Sequence, residues 1–296
     1  MDKLVLEAYA KVNLGLDVVR KRPDGYHEVK MIMQTVTLAD TLEFEILDED
    51  TIWIEADVEG VPTDESNLIW KAIAMLRKEF GIEKGVHVTL YKRIPVAAGM
   101  AGGSTDCAAA LKAVNQLFSL GLTEEELRIR GVKLGADVPY CIMEGTALSE
   151  GIGEILTPIA PMPECYLVIA KPNISVSTAF VYGNLHVDTL EKHPDIDGIR
   201  KALEQGDLDG ITCRLENVLE TVTEPAHPVI TKIKECMLNE GALSALMSGS
   251  GPTVFGIFQK GEDARACAKV LEETMAEGTD EDPAVNQIYV VKPYNH

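Results

Sequence analysis

The 296-residue sequence predicts an α+β protein of two domains. Three observations predict it. Apolar residues make up 46% of the chain, enough for a sizeable core at this length. The second half runs strand, helix, helix, strand, strand, helix, strand, the order of an α+β sandwich with helices on one sheet face. Between the halves, residues 158–163 hold three prolines in six positions, which places a boundary there and predicts domains over 1–157 and 164–296.

The elements follow in order. Residues 3–19 alternate loosely and read as one or two strands. Residues 22–26, Arg-Pro-Asp-Gly-Tyr, form a turn, since proline fixes φ and glycine takes a positive φ. Residues 28–38 return as a strand, and 42–47 with 52–56 look like a hairpin around Asp-Glu-Asp. Ser66 or Asn67 caps a helix that runs to Phe80 and stops at Gly81. Residues 86–93 read as a strand, and 104–118 as an alanine-rich helix. Thr123 and Glu126 form a capping box for a helix that ends near Gly135. The segment Gly135-Ala-Asp-Val-Pro-Tyr turns into a short helix, with Asp137 as its one carboxylate. Residues 145–157 read as a short hairpin, and 166–170 as a buried strand. Mostly helical patterns run over 178–239, with Val229, Ile230, Ile233 and Met237 on one helical face. Two apolar strands flank residues 248–252, Ser-Gly-Ser-Gly-Pro. A helix over 262–277, an acidic loop and a strand over 287–292 close the chain.

Charge and composition exclude several classes. A net charge of −20 argues against nucleic acid and against an anionic membrane surface. There is no run of 18 apolar residues, so no membrane span is expected, and residues 4–8 read straight into a strand, so no signal peptide is expected. Cys107, Cys141, Cys165, Cys213, Cys236 and Cys267 are scattered, without a CxxC pair, which suits core thiols in a reducing cytoplasm. One sizeable stretch has a positive balance: residues 9–34 set Lys11, Arg20, Lys21, Arg22 and Lys30 against Asp17, Asp24 and Glu28.

A strand, a small-residue loop and a helix N-terminus make an anion site. Here the loop is Pro95, Val96, Ala97, Ala98, Gly99, Met100, Ala101, Gly102 and Gly103, with Ser104 and Thr105 at the helix start. Glycines bring the backbone close to a ligand, and the N–H groups of the first helical turn point at it. The expectation is a cradle for nucleotide phosphates. No lysine follows Gly103, so this is not a Walker loop, and the spacing Gly-x-x-Gly-Gly is not the dinucleotide fingerprint. A plain tight turn is the alternative.

Three stretches now stand out: Lys11-Val-Asn13-Leu-Gly15-Leu, the cradle, and Ser248-Gly-Ser-Gly-Pro252. In that order they resemble the three motifs of the GHMP kinase superfamily (galactose, homoserine, mevalonate and phosphomevalonate kinases). Residues 10–18, Ala-Lys-Val-Asn-Leu-Gly-Leu-Asp-Val, with Arg22-Pro-Asp-Gly-Tyr-His-Glu and Leu134-Gly-Ala-Asp-Val-Pro-Tyr, are similar to segments of those members that act on a cytidine diphosphate conjugate. Met100 stands where the resemblance leads one to expect leucine.

The resemblance implies a GHMP-kinase-like fold: an N-terminal, ATP-binding domain with a mixed sheet and helices, a C-terminal ferredoxin-like α/β sandwich, and the active site in the cleft between them. It implies a kinase that phosphorylates a hydroxyl of a small-molecule substrate, a cytidine diphosphate conjugate of isoprenoid precursor synthesis. ATP and Mg2+ would be the cofactors, with no protein partner implied. Asp137 would accept or orient the hydroxyl proton, and Lys11 would stabilise the charge that develops. Residues 95–105 would hold the ATP phosphates. Asn13, Tyr26, His27 and Tyr182 would bind the substrate, as would Ser248 and Gly249. No residue is assigned to the metal, because no acidic cage is legible. On position alone, Lys11 fits a solvated strand lysine, Asp137 a helix N-cap, Tyr182 a core tyrosine and Ser248–Gly251 a strand-connecting turn. Two other functions stay open: another GHMP small-molecule kinase, for homoserine, mevalonate or a sugar, and a non-catalytic nucleotide-binding regulator.

Overall fold

Two long strands open the computed structural model, which describes residues 2–190, 192–279 and 283–295. β1 (Lys3–Lys21) is a single strand, and β2 (His27–Leu47) carries the expected strand over 28–38 on through residue 47. They are hydrogen-bonded neighbours. The turn between them closes with Arg22 N–H donating to Tyr26 O at 2.8 Å and Gly25 N–H to Arg22 O at 3.1 Å. Gly25 sits at φ +88°, as the turn requires.

The described residues divide into two compact units. Unit one takes those within Met1–Ala10, Leu38–Val96 and Ala101–Glu144, and unit two those within Lys11–Thr37, Ala97–Met100 and Gly145–His296. Each long strand therefore contributes a segment to both.

In unit one, β3 (Ile52–Ala56) is followed by α1 (Leu68–Phe80) and β4 (Gly85–Tyr91). The expected hairpin of 42–47 with 52–56 does not form. β4 lies between them, antiparallel to β2 from Thr41↔Tyr91 to Leu47↔Gly85 and parallel to β3 from Ile52↔Val86 to Ala56↔Leu90. Burial explains the order. Val86, Val88 and Leu90 are all fully buried, which suits an inner strand, whereas β3 exposes Trp53 and takes the edge. A parallel pair needs a crossover, and α1 supplies it. α1 starts at Asn67, whose side chain accepts from Ile69 N–H at 2.8 Å, and stops at Gly81, φ +63°. α2 (Gly102–Leu117) packs on α1. α3 (Glu124–Gly131) carries the expected Thr123–Glu126 capping box, and α4 (Val138–Met143) follows.

In unit two, β5 (Thr146–Gly151) pairs antiparallel with β2 and forms the expected hairpin with β6 (Ile155–Pro158). Next come β7 (Tyr166–Pro172), α5 (Thr178–Asn184), α6 (Ile196–Gln205) and α7 (Leu208–Thr212). The two-residue strand β8 (Glu216–Asn217) interrupts the expected helical run and pairs parallel with β1, Gly15↔Glu216 and Leu16↔Asn217. α8 (Glu220–Ala226), α9 (Val229–Asn239), β9 (Ser244–Met247), β10 (Val254–Phe258), α10 (Gly261–Met275) and β11 (Val285–Val291) complete it. Residues 280–282 of the expected acidic loop lie outside the described residues. The antiparallel sheet runs β11-β7-β10-β9, and α9 and α10 both rest on it and touch each other. Val229, Ile230, Ile233 and Met237 are the buried residues of α9, as their spacing predicts. All six cysteines are free, and Cys107, Cys141, Cys165 and Cys267 are buried. No helix among the described residues is long and apolar enough to cross a membrane.

A buried ion cluster anchors α2 in unit one. Lys92 Nζ donates to Asp40 Oδ2 and, at 2.6 Å, to Asp106 Oδ2. Asp40 Oδ1 also accepts from Ile94 N–H at 2.8 Å, whereas Asp106 Oδ1 is buried without a partner. Burial opposes the Lys92 ammonium, but the two carboxylates more than offset it and raise its pKa. Two carboxylates share one ammonium, so burial, reinforced by Asp40, pushes Asp106 up from 3.8 to about 8. Between these values the folded chain keeps a proton that the unfolded chain releases. The stability this group contributes is complete below 3.8 and is lost as pH rises to about 8. Thermal unfolding at stepped pH should therefore show the native Tm falling, relative to Asp106→Asn, across that window. Parallel curves for the two chains would rule this out.

Candidate active site

β1 has a two-faced pattern. Ala10, Val12, Leu14, Leu16 and Val18 are buried core, and the alternate face carries Lys11, Asn13, Gly15 and Asp17. That second face is polar, yet Lys11 is only 5% exposed and Asn13 is fully buried. Lys11 is thus no solvated strand lysine. Its Nζ donates to Asn13 Oδ1 at 2.7 Å, and Asn13 Nδ2 approaches Met31 Sδ at 3.2 Å. The described partner of the ammonium is a neutral amide, not a carboxylate. Gly15 packs closely under two isoleucines: a Cβ there would lie 2.7 Å from Ile196 Cδ1 and 2.8 Å from Ile199 Cδ1, so both side-chain ends would have to move. Asp17 meets a residue the sequence gave no reason to single out, His193, whose Nδ1 lies 2.8 Å from its Oδ1.

The small-residue loop is more strained than its sequence suggests. Ala97, Gly99 and Ala101 have φ of +52°, +71° and +59°. Positive φ at every second residue curls backbone N–H groups toward one side, the geometry of an anion nest. Two of these residues are alanines, which pay steric strain to adopt it. α2 begins at Gly102, two residues earlier than the spacing predicts, so Gly102 and Gly103 form its first turn rather than the loop. No side chain caps this helix and no acidic residue lies in its first turn. A Cβ on Gly103 would meet nothing within 4 Å, so this side of the turn is open. Lys92 lies beneath it: a Cβ on Gly102 would come 3.1 Å from Lys92 Nζ.

Within unit two the loop apex is tied down from two sides. Lys11 N–H donates to Met100 O at 3.2 Å. Ser248 Oγ donates to Gly99 O at 3.0 Å, and a Cβ on Gly99 would sit 2.3 Å from Ser248 O. Ser248, Gly249 and Ser250 are buried, so this segment is more than a surface turn between strands.

Asp137 belongs to unit one. It occupies the N-cap position of α4, but its side chain makes no capping hydrogen bond, and it is half-buried. Its segment neighbours the start of α2, where a Cβ on Gly135 would lie 3.8 Å from Ser104 Oγ.

An aromatic pair forms between distant parts of the sequence. The rings of His27 and Tyr182 are 5.2 Å apart at 40°. Both are half-buried, so Tyr182 is not a core tyrosine, while Tyr26 is exposed. Burial, then the charge of Lys21, lowers the His27 pKa below 6.5, so its ring is neutral at neutral pH and offers one donor and one acceptor. The basic stretch around this turn is largely paired. Arg20 pairs with Glu28, Arg22 with Asp24 at 2.8 Å, and Lys30 with Asp197 at 2.8 Å.

Comparisons with known proteins identify the family. A model of the GHMP kinases N terminal domain matches residues 67–145, and one of the GHMP kinases C terminal region matches 188–277. The chain is 53% identical to a 4-diphosphocytidyl-2-C-methyl-D-erythritol kinase of Lachnoclostridium phytofermentans, over 87% of this chain and 89% of that one. Identity to the enzyme of the same name from Enterococcus faecalis is 51%, over 87% and 91%. A crystal structure of 4-(cytidine 5'-diphospho)-2C-methyl-D-erythritol kinase matches with TM-score 0.81 at 29% identity, covering 98% of each chain. Homoserine kinase from Cytophaga hutchinsonii shares the fold, with TM-score 0.77 at 20% identity over 98% of this chain and 94% of that one. With about half its residues shared with such relatives over most of its length, the chain belongs to the 4-diphosphocytidyl-2-C-methyl-D-erythritol kinases, within the GHMP kinases.

Proposed function

We propose that the chain transfers the γ-phosphate of ATP to a hydroxyl of 4-diphosphocytidyl-2-C-methyl-D-erythritol, in the non-mevalonate route to isoprenoid precursors. The observation that carries the substrate half is the His27–Tyr182 ring pair. A cytosine offers a π face and a donor–acceptor edge, and a neutral imidazole beside a phenol suits both. A substrate without a base has no use for it. Tyr26 adds an exposed ring at the turn that carries His27.

Phosphoryl transfer is mostly positioning plus charge stabilisation. Residues 95–105 hold the phosphates of ATP through the backbone N–H groups that follow Pro95, which the positive-φ loop and the uncapped α2 support. Asp137 accepts or orients the hydroxyl proton, and its freedom from capping supports that role. Lys11 stabilises the developing alkoxide and the phosphoryl group in flight. Asn13 holds Lys11 and binds the substrate polyol or diphosphate, and Ser248 and Gly249 complete the substrate side by shaping the loop. Mg2+ would neutralise phosphate charge when it arrives with the nucleotide. No group of three or more His, Cys, Asp or Glu residues able to hold a metal occurs among the described residues. The two family matches, over 67–145 and 188–277, leave a boundary between them that includes residues 158–163, whereas the compact units part at Glu144 and Gly145. The cytoplasm is the setting this biosynthetic role favours.

ADP release with ATP, Mg2+ and the cytidyl substrate tests the assignment. Asp137→Ala should lower kcat by about 100-fold or more with little change in Tm. Turnover that survives the substitution would remove Asp137 from this role. ADP release with homoserine or mevalonate alone would leave only the superfamily, and ATP binding without any turnover would favour a regulator.

The base pocket has its own test. CMP should compete with the cytidyl substrate, and Tyr182→Ala should raise KM for that substrate about tenfold while leaving KM for ATP unchanged. An equal rise in both constants would contradict a stacking role.

A further inference from the structure

The turn that seats Gly99 is itself held by a segment outside the three motifs. Asn217, on β8, is 2% exposed. Its Nδ2 donates to Met247 O and to Gly249 O, each at 2.8 Å, and its Oδ1 accepts from Leu219 N–H at 3.0 Å. Glu220 Oε1 accepts from Met247 N–H at 2.8 Å and from Lys234 Nζ at 2.9 Å. The backbone on both sides of Ser248 is therefore fixed by side chains of one short segment. Ser248 in turn donates to Gly99 O. The contact has no slack, since even a Cβ on Gly249 would lie 3.1 Å from Gly99 O.

We infer that Asn217 is a positioning residue for nucleotide binding, acting through the Ser248 turn to set the phosphate loop at Gly99. Only an amide fits the demand. Two carbonyl oxygens need donors and one N–H needs an acceptor, which a carboxylate, a hydroxyl or an apolar isostere cannot all supply. The anchorage is rigid, because Asn217 is in register with Leu16 on β1, the strand that carries Lys11 and Asn13. Displacement of about 1 Å at such a site is enough to cost ~100-fold in rate.

This inference rests on the reading of the loop as the ATP-phosphate site. The test is a double-mutant cycle with Asn217→Ala, Ser248→Ala and the double variant. It reads the dissociation constant of a non-hydrolysable ATP analogue and of CMP by calorimetry, with circular dichroism and Tm as controls. Asn217→Ala should weaken the ATP analogue about tenfold and leave CMP unchanged. The double variant should be no weaker than the weaker single, because one residue acts through the other. Asn217→Ala that lowers Tm but keeps native affinity for the analogue overturns the inference, as do fully additive losses. Should Asn217→Ala not fold, Ser248→Ala decides alone: about tenfold weaker analogue binding supports the inference, and native affinity overturns it. Absence of analogue binding by the native chain overturns the functional reading and this inference with it.

Discussion

The close approach of Gly99 to Ser248 is the contact on which the rest of this site depends. It closes a ring of backbone constraints inside one unit. Met100 O is held by Lys11 N–H of β1, and Gly99 O by the Ser248 hydroxyl. The Ser248 turn is held by Asn217, and Asn217 is in register with Leu16, back on β1. Each step is a hydrogen bond or a strand pairing to a buried partner, so no step can relax without moving the next. The ring holds the carbonyls of Gly99 and Met100 in the positive-φ stretch of the loop.

This explains how so acidic a chain can serve an anionic ligand. A net charge of −20 sets a repelling field, and most of the basic residues near the Tyr26 turn are already paired. On the proposed reading of residues 95–105 as the phosphate site, what remains is local: peptide N–H groups on a curled loop and an uncapped helix start. Fixed dipoles act at contact range and lose little to distant charge across water and salt. The buried Lys11 ammonium adds one cation whose described partner, Asn13, is neutral.

Local chemistry was legible in the sequence, and long-range pairing was not. The Thr123–Glu126 box, the Asn67 and Gly81 caps and the buried face of α9 each follow from a few adjacent residues, and each formed as read. The supposed hairpin of 42–47 with 52–56 failed because β4, about 30 residues farther on, buries more completely and takes the place between them. At the site, the loop and the Tyr26–His27 turn announced themselves through glycine and proline. The positive φ of Ala97 and Ala101 did not, since nothing about an alanine marks it as strained. Asn217 was hidden twice over: β8 is too short to show a period, and an isolated asparagine among helical patterns reads as a cap or a turn. Asp40, Lys92 and Asp106 were equally silent, because charged residues at those spacings look like solvent-facing ones until the fold buries them together.

The polar face of β1 shows what the site costs the fold. Apolar side chains at positions 11 and 13 would pack against this unit with no desolvation penalty, whereas a lysine and an asparagine must each find partners. The partners they have are modest. Lys11 has an amide, and Asn13 has the Met31 sulfur, a weak acceptor, at 3.2 Å. A core selected for stability alone would not choose that arrangement. It becomes sensible on the proposed reading, in which the Lys11 ammonium serves an anionic ligand. The same logic covers the alanines at positive φ and the uncapped start of α2. In each case the chain holds a group in a state that packing alone does not reward, and that phosphate binding, as proposed, would.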